Sequence, residues 1–286
     1  MGPMVSVVYL TKNGGKLFQD SLDSVFSQQT DFTFDVIVVD SGSTDGTLEL
    51  LQGYDVKVYH VKPSEFSFGL TRDYGFSLTN SKIVLAISQD AVPVGVEWLH
   101  DLVSPFEDKS VAVVQSMDIL PEWSDVDLFY WEKVRKFYYT RDCIKWMEAN
   151  DNIGISFTSC AIRRDVWEKN QLGKVEMSED KVFQKKISNK GYKIFFQEKA
   201  KNAHTHSYNV VSLAKRCQNE GLGWRNVDNV YTFSDMIADI LNKEIWCFLR
   251  KGIKNSEIKR LSELLFPFIR PLFIYIGNRF TNTYVK

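Results

Sequence analysis

Short runs rich in valine and isoleucine alternate with amphipathic segments along the first half of the chain, and this alternation limits the fold more than any other feature. It predicts a parallel sheet covered by helices. The predicted strands are Val5–Leu10, Asp35–Val39, Val56–Val61, Ile83–Ile87 and Val111–Gln115. The helices expected between them, from the spacing of apolar residues, are Leu17–Ser27, Thr47–Leu51 and Leu70–Leu78. The first half is therefore predicted to be a Rossmann-like α/β sheet.

The second half is less regular, but it continues the α/β pattern before it becomes helical. We predict a strand near Phe157–Ile162, a helix near Asp180–Ser188, a strand at Lys193–Gln197 and then mostly helix. No internal repeat or low-complexity linker interrupts the chain. A chain of 286 residues, 44% of them hydrophobic, can form one large domain with an appendage.

The net charge of −1 is the sum of a basic C-terminal tail, residues 243–286, and an acidic body, which is the rest of the chain. From Lys243 to Lys286 there are nine Lys or Arg residues against three Glu. An acidic body argues against nucleic acid as a partner, whereas a basic and apolar tail suits an anionic membrane surface. Ordinary helical packing is the alternative for the tail. Both interpretations stay open at this point.

The chain shows no sequence pattern of a secreted or membrane-spanning protein. Met1-Gly2-Pro3 leads directly into a strand without the charged start of a signal peptide. The apolar stretch Leu264–Ile276 is too short to span a membrane and is interrupted by Pro267, Arg270 and Pro271. The four cysteines form no C-x-x-C pair, which fits reduced thiols. We expect a cytoplasmic protein, with peripheral contact to the inner face of the membrane as a further possibility for the tail.

Polar residues follow three of the predicted strands, at the edge where parallel sheets bind ligands. The three segments are Thr11-Lys12-Asn13, Asp40-Ser41-Gly42-Ser43 and Ser88-Gln89-Asp90. Neither G-x-G-x-x-G after the first strand nor a P-loop motif is present, which argues against dinucleotide-dependent oxidoreductases and P-loop NTPases. A carboxylate at a strand end, such as Asp40, can accept hydrogen bonds from a base or ribose. Asp45 is placed to cap the next helix.

The segment Val5–Asn13 followed by Val38–Thr47 resembles the opening of family 2 glycosyltransferases, which have the GT-A fold. In that family the two strands end in Thr-x-Asn-like and Asp-Asp/Ser-Gly-Ser-x-Asp segments that line the nucleotide pocket. The resemblance therefore implies a Rossmann-like, mostly parallel sheet flanked by helices, with a helical C-terminal extension. It places four residues in the donor site: Thr11, Asn13, Asp40 and Ser41.

The same resemblance assigns a metal site to the end of the fourth strand. Family members have an Asp-x-Asp-like motif there, and this chain has Ser88-Gln89-Asp90. Divalent ions such as Mg²⁺ or Mn²⁺ prefer carboxylate oxygen, and the donor's diphosphate supplies most other ligands. Asp90 is the implied metal ligand, and Gln89 lies in the donor site. With a single carboxylate, we expect weak metal binding in the absence of donor.

A further resemblance is to the bacterial rhamnosyltransferase subgroup. Phe66-Ser67-Phe68-Gly69-Leu70-Thr71-Arg72-Asp73 precedes Gln89-Asp90-Ala91-Val92-Pro93, much as Phe-x-His-Gly-x-Thr-Arg-Asn precedes Thr-Gln-Asp-Ala-x-Pro in that subgroup. Phe68 replaces the His and Asp73 the Asn. Arg72 is the implied phosphate clamp, and a surface ion pair is its alternative. The subgroup favours dTDP-rhamnose as donor, with UDP-hexose or UDP-N-acetylhexosamine as alternatives.

Two later segments complete the implied site. Met177-Ser178-Glu179-Asp180-Lys181 resembles the family's Glu-Asp motif, which makes Asp180 the catalytic base and Glu179 its neighbour in the acceptor site. A Ser178 helix cap with acids favoured by the helix dipole is the alternative. His204 and His206 face the same way in an extended segment, and family members often complete the metal or phosphate shell here. Which ring contacts which group stays open.

Together these features predict an inverting, metal-dependent transfer of one sugar from a nucleoside-diphosphate sugar to a glycan or lipid-linked glycan acceptor during cell-surface polysaccharide synthesis. We expect a glycosyltransferase domain over residues 4–220, divided into a donor half at 4–117 and an acceptor half at 118–220, with a helical extension at 221–286. The rival hypothesis is a non-catalytic scaffold of the same fold. Four aromatic residues are candidates either for stacking on sugars or for the core: Trp123, Trp131, Trp146 and Tyr138.

Overall fold

The computed structural model describes residues 2–122, 128–134 and 153–285 of the chain. Its contacts divide the chain into two compact units. The first unit consists of Met1–Ile119, Ile153–Val175 and Glu179–His204. The second unit consists of Leu120–Asn152, Glu176–Ser178 and Thr205–Lys286.

The first unit is built on one eight-stranded sheet in the order β3-β2-β1-β4-β7-β6-β8-β5. Six of these described strands run in the same direction, and β5 and β7 run against them. The predicted mostly parallel sheet is therefore confirmed. The strands are β1 Val5–Thr11, β2 Phe34–Asp40, β3 Val56–His60, β4 Ile83–Ser88, β5 Val92–Pro93, β6 Val111–Ile119, β7 Ser159–Arg163 and β8 Lys193–Ala203.

Helices cover both faces of this sheet. Along β1, Val7 and Tyr9 point into one core together with Phe18, whereas Val8 points into the other core together with Phe76. Because both faces are buried, the central strands are apolar at nearly every position. The helices of this unit are α1 Gly15–Phe26, α2 Thr47–Leu51, α3 Phe68–Ser77, α4 Trp98–Val103, α6 Arg164–Glu168 and α7 Glu179–Ser188, with a 3₁₀ turn at Ser104–Glu107.

The second unit is helical where the structure describes it, as predicted for the C-terminal residues. Its helices are α5 Tyr130–Lys133, α8 Val210–Asn226, α9 Phe233–Ile240, α10 Lys243–Lys254 and α11 Leu261–Phe280. Among the residues that the structure describes, none of the helices combines the length and the apolar run needed to cross a bilayer.

Trp131 is part of the core of the second unit. Its side chain is fully buried, and its ring stacks on Phe266 with 4.4 Å between centroids. Trp131 Nε1 donates a hydrogen bond of 2.7 Å to the carbonyl oxygen of Glu263. That carbonyl cannot accept the usual helical hydrogen bond from the residue four positions later, because Pro267 lacks an N–H. Of the four aromatic candidates, Trp131 thus packs in the core, and the other three lie outside the described residues.

Glycines set the distance between α8 and α11. A Cβ atom added to Gly277 would lie 1.9 Å from the carbonyl oxygen of Gln218, and one added to Gly221 would lie 2.1 Å from that of Ile274. Real Cβ atoms do not approach backbone this closely, so the two helices can cross at this distance only with glycine at both positions.

The substitution Gly277→Ala is therefore expected to lower the free energy of unfolding by about 2 kcal/mol, because the helices must separate to admit the methyl group. The matched control is Gly53→Ala, whose Cβ would lie 3.4 Å from the nearest atom, the carbonyl oxygen of Leu50. We expect the control to stay within about 0.5 kcal/mol of the parent protein. Thermal and urea denaturation would measure both. Equal stability of the two variants would contradict this account of the crossing.

Candidate active site

The turn after β2 is organised by Asp40, whose side chain is buried. Its Oδ2 accepts hydrogen bonds from the N–H groups of Gly42 at 2.8 Å and Ser43 at 3.1 Å, and its Oδ1 accepts one from the Ser43 hydroxyl at 2.5 Å. A carboxylate has about four acceptor sites, so these bonds use most of its capacity. Asp40 therefore shapes the loop at the predicted donor site.

The loop after β1 is bonded to this turn through Asn13, which has a φ of 51°. Asparagine tolerates this left-handed conformation better than most residues. Its Oδ1 accepts a hydrogen bond from the Thr44 N–H at 2.8 Å, and its own N–H donates to Ser43 Oγ at 2.9 Å. The Ser41 hydroxyl and N–H both donate to the carbonyl oxygen of Thr11. The ends of β1 and β2 and the loops that follow them, which contain Thr11, Asn13, Asp40 and Ser41, are thus hydrogen-bonded to each other.

Asp45 acts at the start of α2. Its Oδ1 accepts hydrogen bonds from the Thr47 hydroxyl at 2.5 Å and the Thr47 N–H at 3.1 Å. The bond from the hydroxyl lowers the pKa of Asp45, with a smaller contribution from the N–H. The N-cap residue of α2 is Gly46, however, and Thr47 is the first helical residue. Asp45 therefore holds the turn just before the helix, and the prediction that it caps α2 is wrong, because a cap accepts from the second or third helical N–H.

Gln89 joins the loop after β4 to the loop after β1. Its Oε1 accepts hydrogen bonds from the Thr11 hydroxyl at 2.7 Å and the Lys12 N–H at 2.9 Å. Its Nε2 donates to the carbonyl oxygen of Lys12 at 3.2 Å. A carboxylate at this position could accept but not donate. Glutamine can do both, so Gln89 holds the loop after β1 through an acceptor and a donor. Its contact with the sugar donor stays a prediction.

Asp90 and His204 are brought together by the pairing of β5 with β8. Val92 lies opposite Ala203 in that antiparallel pair, so the residues just outside it become neighbours. Asp90 Oδ1 lies 3.5 Å from His204 Nε2. The His204 N–H also donates to the carbonyl oxygen of Ile119 at 3.0 Å. His206 follows two residues later, at the start of the second unit.

A second cluster contains the pair Arg72 and Glu179. Arg72 Nε donates to Glu179 Oε1 at 3.3 Å, and both side chains are less than one-tenth exposed. The guanidinium carbon lies 4.8 Å from the centroid of the Phe157 ring. Burial raises the pKa of Glu179, and the charge of Arg72 opposes this rise. Within the described part of the chain, the buried Arg72 Nη1 has no hydrogen-bond partner.

Asp180 is more accessible than Glu179, with 18% of its side chain exposed. Its Oδ1 accepts a hydrogen bond from the Lys181 N–H at 2.7 Å. Both acids lie in the first turn of α7, where the helix dipole favours negative charge. Ser178, the residue before them, has a φ of 62°, outside the extended region usual for N-cap residues. The accessible acid of the pair is therefore the one predicted to be the base.

The structure gives Asp73 a role that the sequence did not indicate. Its carboxylate accepts three hydrogen bonds, from Trp167 Nε1 at 2.7 Å, the Leu172 N–H at 3.0 Å and the Gly173 N–H at 2.8 Å. The donors are almost a hundred residues further along the chain, so no local pattern could reveal them. Asp73 thus anchors the segment that leads towards α7.

Gly69, on the same helix as Asp73, also binds the segment before α7, in this case through its backbone. Its N–H donates to the carbonyl oxygen of Val175 at 3.0 Å. A Cβ atom on Gly69 would lie 2.1 Å from the carbonyl oxygen of Gly173. The motif from Gly69 to Asp73 therefore fixes the segment before α7, while Arg72 within it contacts Glu179 on α7 itself.

Comparison with known proteins gives consistent findings. The family model described as "Glycosyl transferase family 2" matches residues 6–171. The chain is 30% identical over 217 residues to the O-antigen chain rhamnosyltransferase WbaN of Salmonella anatum, covering 72% of this chain and 67% of that protein. It is 28% identical over 215 residues to the O-antigen chain rhamnosyltransferase RfbN of Salmonella typhimurium, covering 71% and 67% respectively.

Solved structures show the same fold. The mannosyltransferase PcManGT from Pyrobaculum calidifontis, in complex with GDP-Man and Mn²⁺, matches with a TM-score of 0.60 and 15% identity, covering 98% of this chain and 88% of that one. Glucosyl-3-phosphoglycerate synthase from Mycobacterium tuberculosis, in complex with Mn²⁺, UDP and glucosyl-3-phosphoglycerate, matches with a TM-score of 0.60 and 17% identity, covering 79% and 81%. The expected GT-A fold is confirmed.

We expect Asp73→Asn to destabilise the protein by about 1–3 kcal/mol, because an amide NH₂ would replace one of two accepting oxygens and leave a buried N–H without its acceptor. The control is Asp165→Asn, since Asp165 is an exposed acid that pairs on the surface with Lys169. Chemical denaturation would measure both variants. The role of Asp73 as an anchor would be wrong if both variants had the stability of the parent.

Proposed function

Because the chain belongs to glycosyl transferase family 2, we propose that this glycosyltransferase moves a single rhamnose from dTDP-rhamnose to a hydroxyl of a glycan or lipid-linked glycan acceptor. The observation that carries the proposal is the Asp90–His204 pair, next to three strand-end loops that are hydrogen-bonded together. The choice of rhamnose is supported by similarity to two O-antigen chain rhamnosyltransferases. We assign donor binding to residues 4–117 and acceptor binding to residues 118–220, with 221–286 as an extension.

The side chains at this edge suit a divalent metal. The Asp90 carboxylate and the His204 imidazole offer one oxygen and one nitrogen, a combination that favours Mn²⁺ over Mg²⁺, since Mg²⁺ prefers oxygen ligands alone. We propose that both residues hold the ion. His206, two residues after His204 in the sequence, is proposed as a third ligand. A bound ion would stabilise the charge that develops on the departing diphosphate. Two solved structures of the same fold contain Mn²⁺ together with a nucleotide or nucleotide sugar.

The donor is proposed to lie against the loops after β1, β2 and β4. These loops expose polar groups at the carboxyl ends of adjacent parallel strands, where sheets of this type bind ligands. The hydrogen bonds of Asp40, Asn13 and Gln89 hold the loops in place before the donor arrives, which reduces the entropy lost on binding. We include Thr11 and Ser41 in this donor site, and Arg72 as the contact to a phosphate.

Asp180 is proposed to be the catalytic base. The acceptor oxygen bonds to the anomeric carbon as the bond to the diphosphate breaks on the opposite face, and the proton of the acceptor hydroxyl passes to a carboxylate oxygen of Asp180. Glu179 is buried beside Arg72, so it is less able to receive a proton from a bound acceptor. We propose that it helps to form the acceptor site.

We expect Asp90→Asn and Asp180→Asn each to reduce transfer by at least about a hundredfold, since one loses a charged metal ligand and the other its general base. The matched control is Asp31→Asn, which removes one charge at an exposed position. Activity would be measured as dTDP released from dTDP-rhamnose, with a membrane extract as source of acceptor, and circular dichroism would verify folding. Full activity of either site variant would exclude its assigned role.

A donor panel tests the proposed sugar and base. Thermal shifts would be recorded with Mn²⁺ alone and with Mn²⁺ plus dTDP-rhamnose, UDP-glucose, UDP-galactose or UDP-N-acetylglucosamine. A ligand at a hundred times its Kd stabilises the folded state by about 2.7 kcal/mol, so a true donor gives a clear shift. We expect the largest shift with dTDP-rhamnose and little with Mn²⁺ alone, since few protein ligands hold the ion. A larger shift with a UDP-sugar would reassign the donor, and no shift with any of them would favour a non-catalytic scaffold.

A further inference from the structure

The long helix α11 has an apolar stripe on its exposed face. The stripe consists of Leu261, Leu264, Phe268 and Leu272, which are 61%, 42%, 47% and 42% exposed. Their spacing of three or four residues places them in one row along the helix. We call this row the α11 stripe.

Two charged residues of the same helix, Glu263 and Arg270, point inwards, whereas Arg279 in its last turn is exposed. Glu263 is fully buried and accepts hydrogen bonds from the N–H groups of Tyr130 and Lys259, both at 2.7 Å. Arg270 is 8% exposed and forms a two-bond ion pair with Glu220, at 2.6 and 2.8 Å. Helices on the surface of a protein in water normally show the opposite arrangement. Between Leu261 and Ile276, α11 thus has its charges inside and apolar side chains outside.

A second apolar row lies along α9 and its C-cap residue Leu241, and α9 packs against α11. Phe233, Ile237 and Leu241 follow one another at intervals of four residues and are 60%, 38% and 68% exposed. Phe233 contacts Tyr275 of α11, with 5.9 Å between ring centroids. The exposed apolar area therefore extends over two adjacent helices. Large exposed apolar areas usually mark sites of interaction with a protein or a membrane.

Basic residues border this area on α10. Trp246 of α10 contacts Phe268 of the α11 stripe, with 5.4 Å between ring centroids. Lys243 and Arg250, three residues before and four after Trp246, lie on the same side of α10 and are exposed. Three further lysines on or just after α10 are exposed as well: Lys251, Lys254 and Lys259. Glu244 is the one exposed acid of α10.

We propose that this surface docks the second unit on an anionic lipid bilayer. The α11 stripe and the α9 row would enter the boundary between headgroups and acyl chains, while the basic residues of α10 contact anionic headgroups. The charge complementarity selects a membrane as the occupant over a second copy of the chain, because two copies would bring these basic residues together. The inference goes beyond the proposed sugar transfer and does not depend on it.

Co-sedimentation of the full chain with vesicles tests the proposal. Phosphatidylcholine vesicles with and without phosphatidylglycerol would be compared at low and high salt. We expect binding to the anionic vesicles and a decrease in high salt. The double variant Phe268→Glu/Leu272→Glu should bind at least about tenfold more weakly, because two buried apolar contacts are lost. The control Val211→Glu replaces an apolar residue of α8 that is 61% exposed and should bind like the parent.

A second variant and one more measurement separate the outcomes. Lys243→Ala/Arg250→Ala should bind anionic vesicles more weakly and with a smaller salt dependence. All exchanged side chains are exposed, so every variant is expected to fold, which circular dichroism would verify. The Phe268→Glu/Leu272→Glu variant loses the ring contact with Trp246 and should melt slightly below the parent. Undiminished binding of the Phe268→Glu/Leu272→Glu variant, equal binding to neutral vesicles, or no binding by the parent chain would overturn the proposal. A dimer in light scattering that this variant dissociates, without lipid binding by the parent, would assign the surface to a second copy instead.

Discussion

The candidate site depends on the antiparallel pairing between β5, a strand of two residues, and the end of β8. Val92 and Pro93 pair with Ala203 and Asn202, and the N–H of Val94 donates to the carbonyl oxygen of Lys201 at 2.9 Å. Buried backbone groups must find partners, so this short pairing is strongly favoured once the sheet forms. It brings His204 next to Asp90. The Asp90 carboxylate thereby gains an imidazole neighbour, and the two side chains together suit a divalent metal.

The loops beside this pair are fixed by their own side chains. The Asp40 carboxylate accepts three hydrogen bonds from Gly42 and Ser43, Asn13 accepts one from the Thr44 N–H, and Gln89 connects the loops after β1 and β4. A site built in this way is preorganised, because the loops do not need to become ordered when a ligand binds. Residues that a motif marks for ligand binding can therefore contribute through loop geometry as much as through direct contact.

The motif from Gly69 to Asp73 shows why a departure from a family pattern needs a structural explanation. Asp73 stands where the resembling subgroup has Asn, and from the sequence this difference weakens the assignment of the sugar. In the structure, the carboxylate accepts three hydrogen bonds from a segment far along the chain. An acceptor-only side chain suits three donors. The presence of Asp instead of Asn at position 73 is therefore explained by the anchoring of the segment before α7, and it is weak evidence about which sugar is transferred.

The sequence by itself determined the strands and helices of the first unit, most of them to within a few residues, because apolar periodicity and turn residues act over short distances. It also identified the polar strand ends and the Glu179-Asp180 pair at the start of α7. It did not reveal β5, α4 or the extension of β8 to Ala203. Only the tertiary structure decided which loops Gln89 joins, what Asp73 binds, and that α11 buries Glu263 and Arg270 while exposing Phe268. These features depend on strand order and on helix packing between residues distant in the chain, and no local pattern encodes such contacts.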